Sequence, residues 1–307
     1  MQQLIVSALL ASLWTLSTGA GDWCYQSQFS CDHQCNAPEK WDHANSNCGG
    51  RQQSPINVVT RKTLKDERLT PFKFQNYQQT FSGTIKNNGH SVQVGVPHLS
   101  TISGGGLPDT YKAVQFHLHW GSNGGPGSEH TIDGEQYPME LHIVHMKHQY
   151  TDLTTALSDP EGVAVLGIFY ERSNSANRKY DHIINALKSI KNTDGNTSLL
   201  PISLAQLMPA EQNLTSYYRY KGSLTTPGCT EAVIWTLFEH PVPLSIEQLR
   251  AFSELKFHDG KPMVGTFRPV QPLNGRQVYR SGGAMMLASS TLLMLAITTA
   301  LGFSQSN

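Results

Sequence analysis

Gln115-Phe116-His117-Leu118-His119-Trp120-Gly121 alternates polar and apolar side chains, the pattern of a β-strand with one face unlike the other. In a strand, residues two apart share a face and stand about 6.5–7 Å apart along the chain. His117 and His119 can therefore aim both imidazoles at one point, as two ligands of one metal ion. A third imidazole stands in the next strand-like segment, Met139-Glu140-Leu141-His142-Ile143-Val144-His145. If the two strands lie side by side, His142 completes a three-nitrogen face. Three protein ligands leave the fourth tetrahedral position to water, which is the arrangement of a catalytic rather than a structural zinc site. With 13 histidines in the chain, a lone His-x-His pair arises readily by chance. The neighbouring segments have to decide.

Those neighbours also read as strands. Ser91 to Val96 and Met139 to Met146 alternate, while Val163 to Tyr170 and Ala232 to Phe238 are apolar runs rich in β-branched and aromatic residues. Turn chemistry separates them at Asn88-Gly89, Gly104-Gly105-Gly106, Gly124-Gly125-Pro126-Gly127 and Asp133-Gly134. Helical periodicity is confined to Lys179 to Ile190 and Ser245 to Leu255. The expected fold is mostly β (α+β), a single domain with short peripheral helices.

The two ends differ from this body. Leu4 to Leu16 is an apolar run followed by the small residues Thr18-Gly19-Ala20, so residues 1–20 are expected to be a signal peptide, although no basic residue precedes the run. It is shorter than the roughly 20 residues that a membrane span needs. Ala284 to Phe303 is uncharged and follows Ser281-Gly282-Gly283, the small-residue pattern of a glycosylphosphatidylinositol (GPI) attachment signal. Ser281 is the expected acceptor, with residues 282–307 removed. The polar spacer is short, and a transmembrane helix is the alternative. Residues 21–281 would then be the mature domain.

Export agrees with the cysteines. Cys24, Cys31, Cys35, Cys48 and Cys229 lie at spacings that fit no common zinc finger, so disulfides are expected, with at least one thiol left over or paired between chains. Asn196 and Asn213 begin glycosylation sequons. The 23 basic and 23 acidic residues balance without a basic block, so nothing implies a nucleic-acid partner.

Taken together, His-Leu-His-Trp-Gly (His117–Gly121), Ser-Glu-His-Thr (Ser128–Thr131), Glu-Leu-His-Ile-Val-His (Glu140–His145) and Gly-Ser-Leu-Thr-Thr-Pro (Gly222–Pro227) resemble the α-carbonic anhydrases. Gln53-Ser54-Pro55-Ile56-Asn57 and Asn87-Asn88-Gly89-His90 do so too, and the motifs run in family order from Gln53 to Pro272. The resemblance implies a large, mainly antiparallel, twisted central sheet. It also implies reversible hydration of carbon dioxide to bicarbonate and a proton, with His117, His119 and His142 holding Zn²⁺. Zinc lowers the pKa of bound water from about 15.7 to about 7, so hydroxide is available near neutral pH.

Other roles follow from the same resemblance. Gln115 and Glu140 would orient the first and third histidines. The second would donate to a main-chain carbonyl, here that of Thr266. Glu129 and Thr225 would form the pair that orients the attacking oxygen. Val144, Val165, Leu224 and Trp235 would line the carbon dioxide pocket, with Thr226 beside bicarbonate. His90 would carry the released proton to solvent. Cys48 would pair with Cys229, and Cys24 with Cys35, with Cys24–Cys31 left open. Exported, lipid-anchored members of the family suggest the extracellular face of the plasma membrane, a role in acid-base balance and carbon dioxide/bicarbonate transport, and a bicarbonate transporter as a neighbour.

Two rivals come from other classes. A catalytically inactive binding module of the same family would lack a zinc ligand, whereas all three histidines, Glu129 and Thr225 are present. A zinc hydrolase acting on esters or peptides would want a carboxylate base facing the metal; no His-Glu-x-x-His helix occurs.

Overall fold

The computed structural model describes residues 23–30 and 35–282. The expected signal peptide, Cys31, and the C-terminal segment from Gly283 onward lie outside the described residues. Among the described residues, no helix is long and apolar enough to cross a membrane.

A 12-stranded twisted sheet forms the body of the fold. Its main strands, in chain order, are β1 Phe81–Asn87, β2 Val92–Gly95, β3 Tyr111–Trp120, β4 Met139–Lys147, β5 Val163–Ser173, β6 Asn196–Ile202, β7 Tyr217–Gly222 and β8 Val233–Ser245. Across the sheet they run β6-β1-β2-β3-β4-β5-β8-β7. Every neighbouring pair in this run is antiparallel except β5 and β8. Among the described residues, four short α-helices lie outside the sheet: α1 Trp41–Ala44, α2 Leu153–Ala156, α3 Asp181–Leu187 and α4 Ile246–Phe252. Helix α4 starts where expected. Ser245 caps it and Gln248 returns the bond, a capping box that satisfies two amides otherwise left orphaned.

The strand expected over Ala232 to Phe238 continues to Ser245, through two prolines. A register shift explains how. Ile168 pairs with Phe238 and Tyr170 with Val242, so the intervening residues of β8 bulge out and Pro241 needs no partner.

Register places the site. His142 on β4 stands opposite His117 on β3, and Glu140 opposite His119. One row further, Val144 faces Val165, Val165 faces Trp235, and Trp235 faces Tyr220. Because side chains alternate, Phe116, Leu118, Leu141 and Ile143 point to the other face and are fully buried in the larger apolar core. Val144, Val165 and Trp235 belong to a second apolar cluster on the histidine face. The sheet is sandwiched between two cores, and the site is set into the smaller one.

Candidate metal centre

His117, His119 and His142 converge so that one ring nitrogen of each lies within 4.8 Å of the others. His119 and His142 are buried; His117 is half-buried. Each ring is held from behind. His117 Nδ1 donates to Gln115 Oε1 (2.9 Å), His119 Nδ1 to the Thr266 carbonyl (2.6 Å), and His142 Nε2 to Glu140 Oε1 (2.7 Å). Acceptor-only partners fix the tautomers, because each hydrogen-bonded nitrogen must carry the proton. The lone pairs are thereby left on Nε2 of His117 and His119 and on Nδ1 of His142.

These lone pairs face one another. His142 Nδ1 and His117 Nε2 are 3.3 Å apart. With both protons committed elsewhere, two acceptors meet, and His119 Nε2 is a buried nitrogen with no hydrogen-bond partner. A cation resolves both problems. Two ligands of a tetrahedral zinc ion at about 2.0–2.1 Å stand about 3.3–3.4 Å apart, so the donor set and spacing fit that metal. Burial helps by keeping the rings neutral. It lowers His119 from about 6.5 to about 3, with His142 acting in the same direction. It places His117 well below its usual value, and it lowers His142 against the pull of Glu140. Neutral imidazole is the form that binds metal.

Glu140 anchors a longer chain. Its Oε1 accepts from His142 Nε2 and His130 Nδ1 (both 2.7 Å), and its Oε2 from the amides of Glu129 (2.9 Å) and His130 (2.8 Å). His130 Nε2 meets the Tyr220 hydroxyl at 2.6 Å, and that hydroxyl meets Ser54 Oγ at 2.8 Å. Burial alone would raise Glu140, but the electrostatic attraction and hydrogen bonds of the His130 and His142 N–H groups outweigh it and hold the carboxyl well below its usual range. Gly167 makes room: a Cβ there would lie 2.6 Å from Leu237 Cδ2 and 3.2 Å from Glu140 Oε1.

Glu129 is buried on the open side of the triad. Its Oε1 accepts from the Arg268 amide (2.9 Å). Its Oε2 lies 3.4 Å from His119 Nε2 and 3.9 Å from His142 Nδ1. Burial pushes its pKa well up, opposed by hydrogen bonding from the Arg268 amide and the Thr225 hydroxyl. Thr225 is itself buried.

Val144, Val165 and Trp235 are buried together, and half-buried Leu224 packs against them. Trp235 sets its ring edge-on to His142, with centroids 4.7 Å apart. Thr226 is half-buried, and its carbonyl accepts from the Cys229 amide. Cys229 is joined to Cys48, and Cys24 to Cys35. His90 lies in the turn before β2, whose Gln93 pairs with His117. Its ring stacks on Trp23 at 4.0 Å and meets His258 at 5.5 Å. Asn196 opens β6 at the exposed surface, and Asn213 is half-buried. Ser281 Oγ donates to the Thr215 carbonyl and accepts from the Tyr217 amide.

His130, Tyr220, Ser54 and Arg268 are the residues the sequence reading gave no role. His130 stood inside the quoted Ser-Glu-His-Thr motif, and Ser54 inside Gln-Ser-Pro-Ile-Asn. No spacing links either to Tyr220.

Comparison with known proteins adds an independent line. The family model of eukaryotic-type carbonic anhydrases matches residues 36–282. Carbonic anhydrase 4 of Rattus norvegicus is 38% identical over 301 residues, covering 97% of this chain and 96% of that protein. Carbonic anhydrase 4 of Oryctolagus cuniculus is 39% identical, with 97% of each covered. Carbonic anhydrase 12 of Homo sapiens is 38% identical over 85% of this chain and 75% of its own length.

Proposed function

The chain belongs to the eukaryotic-type carbonic anhydrase family and is a carbonate dehydratase, and from that premise we propose that it works through Zn²⁺ held by His117, His119 and His142. The observation that carries the assignment is the meeting of unprotonated nitrogens, His142 Nδ1 and His117 Nε2 at 3.3 Å beside the unpartnered His119 Nε2. Zinc bound there acidifies water to a pKa of about 7 and so supplies hydroxide at neutral pH.

The chain's own residues then aim and contain the reaction. Glu129, held by the Arg268 amide, accepts a hydrogen bond from the Thr225 hydroxyl. That leaves the Thr225 oxygen as an acceptor toward the site, so the nucleophile's proton points to Thr225 and its lone pair toward carbon dioxide. Val144, Val165, Leu224 and Trp235 supply an apolar wall that suits an uncharged substrate, and Thr226 lies next to where bicarbonate forms. His90 takes the released proton toward solvent from its place between Trp23 and His258. The test is carbon dioxide hydration by the intact protein and by His119→Ala. Activity in the first and its loss in the second is expected; a zinc-loaded but inert native protein would favour a binding module.

The same proposal places residues 21–281 on the extracellular face of the plasma membrane, in acid-base balance and carbon dioxide/bicarbonate transport. Two disulfides fit an oxidising compartment. The uncharged stretch after Ser281-Gly282-Gly283 fits a GPI signal, with residues 1–20 as signal peptide and glycans at Asn196 and Asn213. Release from cells by a phosphatidylinositol-specific phospholipase is expected, whereas a transmembrane helix would resist it. A bicarbonate transporter is the partner that this location favours, and co-purification from membranes tests it.

A further inference from the structure

A second cleft, of about 910 Å³, opens where β7 meets the C-terminal strand around Tyr279. None of the three imidazoles lines it. Five basic side chains, Arg51, Arg68, Arg219, Lys221 and Arg276, face two carboxylates, Asp66 and Glu161, an excess of three positive charges. The carboxylates are already engaged: Asp66 holds Arg68 at 2.8 Å, and Glu161 holds Lys221 at 2.7 Å. Arg276 spends its hydrogens on carbonyl oxygens, those of Leu273, Lys221, Gln53 and Pro272, and has no carboxylate hydrogen-bonded to it among the described residues.

Arg219 is the unusual member. Only 7% of it is exposed, and no carboxylate within 4.0 Å is found for it among the described residues. Its Nε and Nη2 both donate to Thr236 Oγ1, at 3.2 and 3.0 Å. Phe72 and Tyr217 flank the guanidinium, each ring centroid 5.7 Å away. Nη1 makes no hydrogen bond with any described residue and lies beside Gly106, on the cleft wall. Burial lowers the group only to about 10, so it is charged at neutral pH. Nη1 is not sealed from solvent, so an acceptor that enters the cleft can reach it. The remaining wall is mixed, with Leu69, Leu107 and Ile234 apolar and Gln52, Asn274 and Gln277 polar, and the volume lies in the range of small-molecule sites, roughly 300–1,000 Å³.

We infer that this cleft binds a small amphipathic organic anion, with a carboxylate, phosphate or sulfonate oxygen on Arg219 Nη1 and an apolar body against Leu69, Leu107 and Ile234. Arg51 and Arg276 contribute attraction at the mouth. The cleft shares Tyr220 with the hydrogen-bond chain behind the metal centre but contains none of its imidazoles, so its occupancy leaves carbon dioxide hydration in place.

The test uses 8-anilino-1-naphthalenesulfonate, titrated by fluorescence into the zinc-loaded protein, with N-phenyl-1-naphthylamine as its uncharged counterpart. Saturable binding at one site is expected. Arg219→Gln should weaken it about tenfold or more, the loss of one charged hydrogen bond. Arg51→Gln should weaken it about threefold through charge alone. The uncharged analogue should bind at least about tenfold more weakly, since it offers Arg219 no oxygen. If Arg219→Gln fails to fold, exposed Arg51 decides. Absence of saturable binding, unchanged affinity in the Arg51 variant, equal binding of the uncharged analogue, or loss of hydration in step with dye binding would each overturn the inference.

Discussion

Glu140→Gln tests the metal centre without touching a ligand. Glu140 accepts four hydrogen bonds, two imidazole N–H groups on Oε1 and two backbone amides on Oε2. A glutamine has a single acceptor oxygen, so either orientation sets an NH₂ against two donors. If the NH₂ faces the amides of Glu129 and His130, two buried N–H groups lose their acceptor, at about 1–3 kcal/mol each. A backbone amide has no alternative proton position. If instead the NH₂ faces the rings, His142 can respond by moving its proton to Nδ1, the atom that points at His117 Nε2. The variant should prefer that second arrangement, and it removes a lone pair from the metal site. Partners behind metal ligands are worth about 10–100-fold in metal affinity, equivalent to about 1.4–2.7 kcal/mol. Zinc affinity measured by chelator competition should fall by that factor, with carbon dioxide hydration falling at subsaturating zinc. A variant that binds zinc within about threefold of the native protein and unfolds at the same temperature would refute the tautomer reasoning.

Thr225→Val keeps the size of the side chain but removes the hydroxyl proposed to link Glu129 to the nucleophile. Hydration should fall about 10²-fold through misorientation, with zinc content unchanged; native kcat in the valine variant would exclude that role. Opening the Cys48–Cys229 bridge, which closes a separation of 181 residues, by Cys48→Ser with Cys229→Ser should lower unfolding free energy by roughly 2–5 kcal/mol, read by urea titration. His145 offers a pH test away from the metal. Burial lowers it from about 6.5 to about 4, and it is neutral between the Tyr77 hydroxyl and the Ala164 carbonyl. The unfolded chain takes up its proton below pH 6.5, while the fold resists until about 4. The stability it contributes is therefore complete above 6.5 and lost as pH falls toward 4, at about 1.4 kcal/mol per unit. His145→Gln should lose that part of the slope in the metal-free protein, and identical slopes would contradict the assignment.

Strands β3 and β4 were legible because each carries its own periodicity, and a period of two leaves no choice about which residues share a face. Once His117 and His119 share a face, only the neighbour relation of β4 was needed to bring in His142, and the register supplies it. The C-terminal half of β8 was illegible for a local reason. Glu239-His240-Pro241-Val242-Pro243 reads as a turn, and only pairing with β5 across a bulge keeps it in the sheet. Strands β1 and β6 went unread because their exposed positions dilute the apolar pattern, as Asn196–Ile202 shows with burial at only two positions, whereas in β7 the basic residues Arg219 and Lys221 interrupt an otherwise buried aromatic run.

The chain from Ser54 through Tyr220, His130 and Glu140 to His142 was hidden for a deeper reason. Its members come from a loop, β7, another loop and β4, and hydroxyl, phenol and imidazole have no spacing that marks them as partners. What fixes them is directional. In the neutral tautomer that donates to Glu140 from Nδ1, His130 Nε2 accepts, and Tyr220 is the hydroxyl placed to meet it at 2.6 Å. The tautomer of His142 is set by Glu140, which can only accept, while Ser54 and Tyr220 set the proton position of His130, the ring that shares Glu140 Oε1 with it. Tyr220→Phe would leave His130 Nε2 buried without a donor, free to take the proton and turn its lone pair toward Glu140. The resulting repulsion should weaken zinc retention while leaving all three ligands in place, and zinc retention equal to the native protein's would break this chain at its second link.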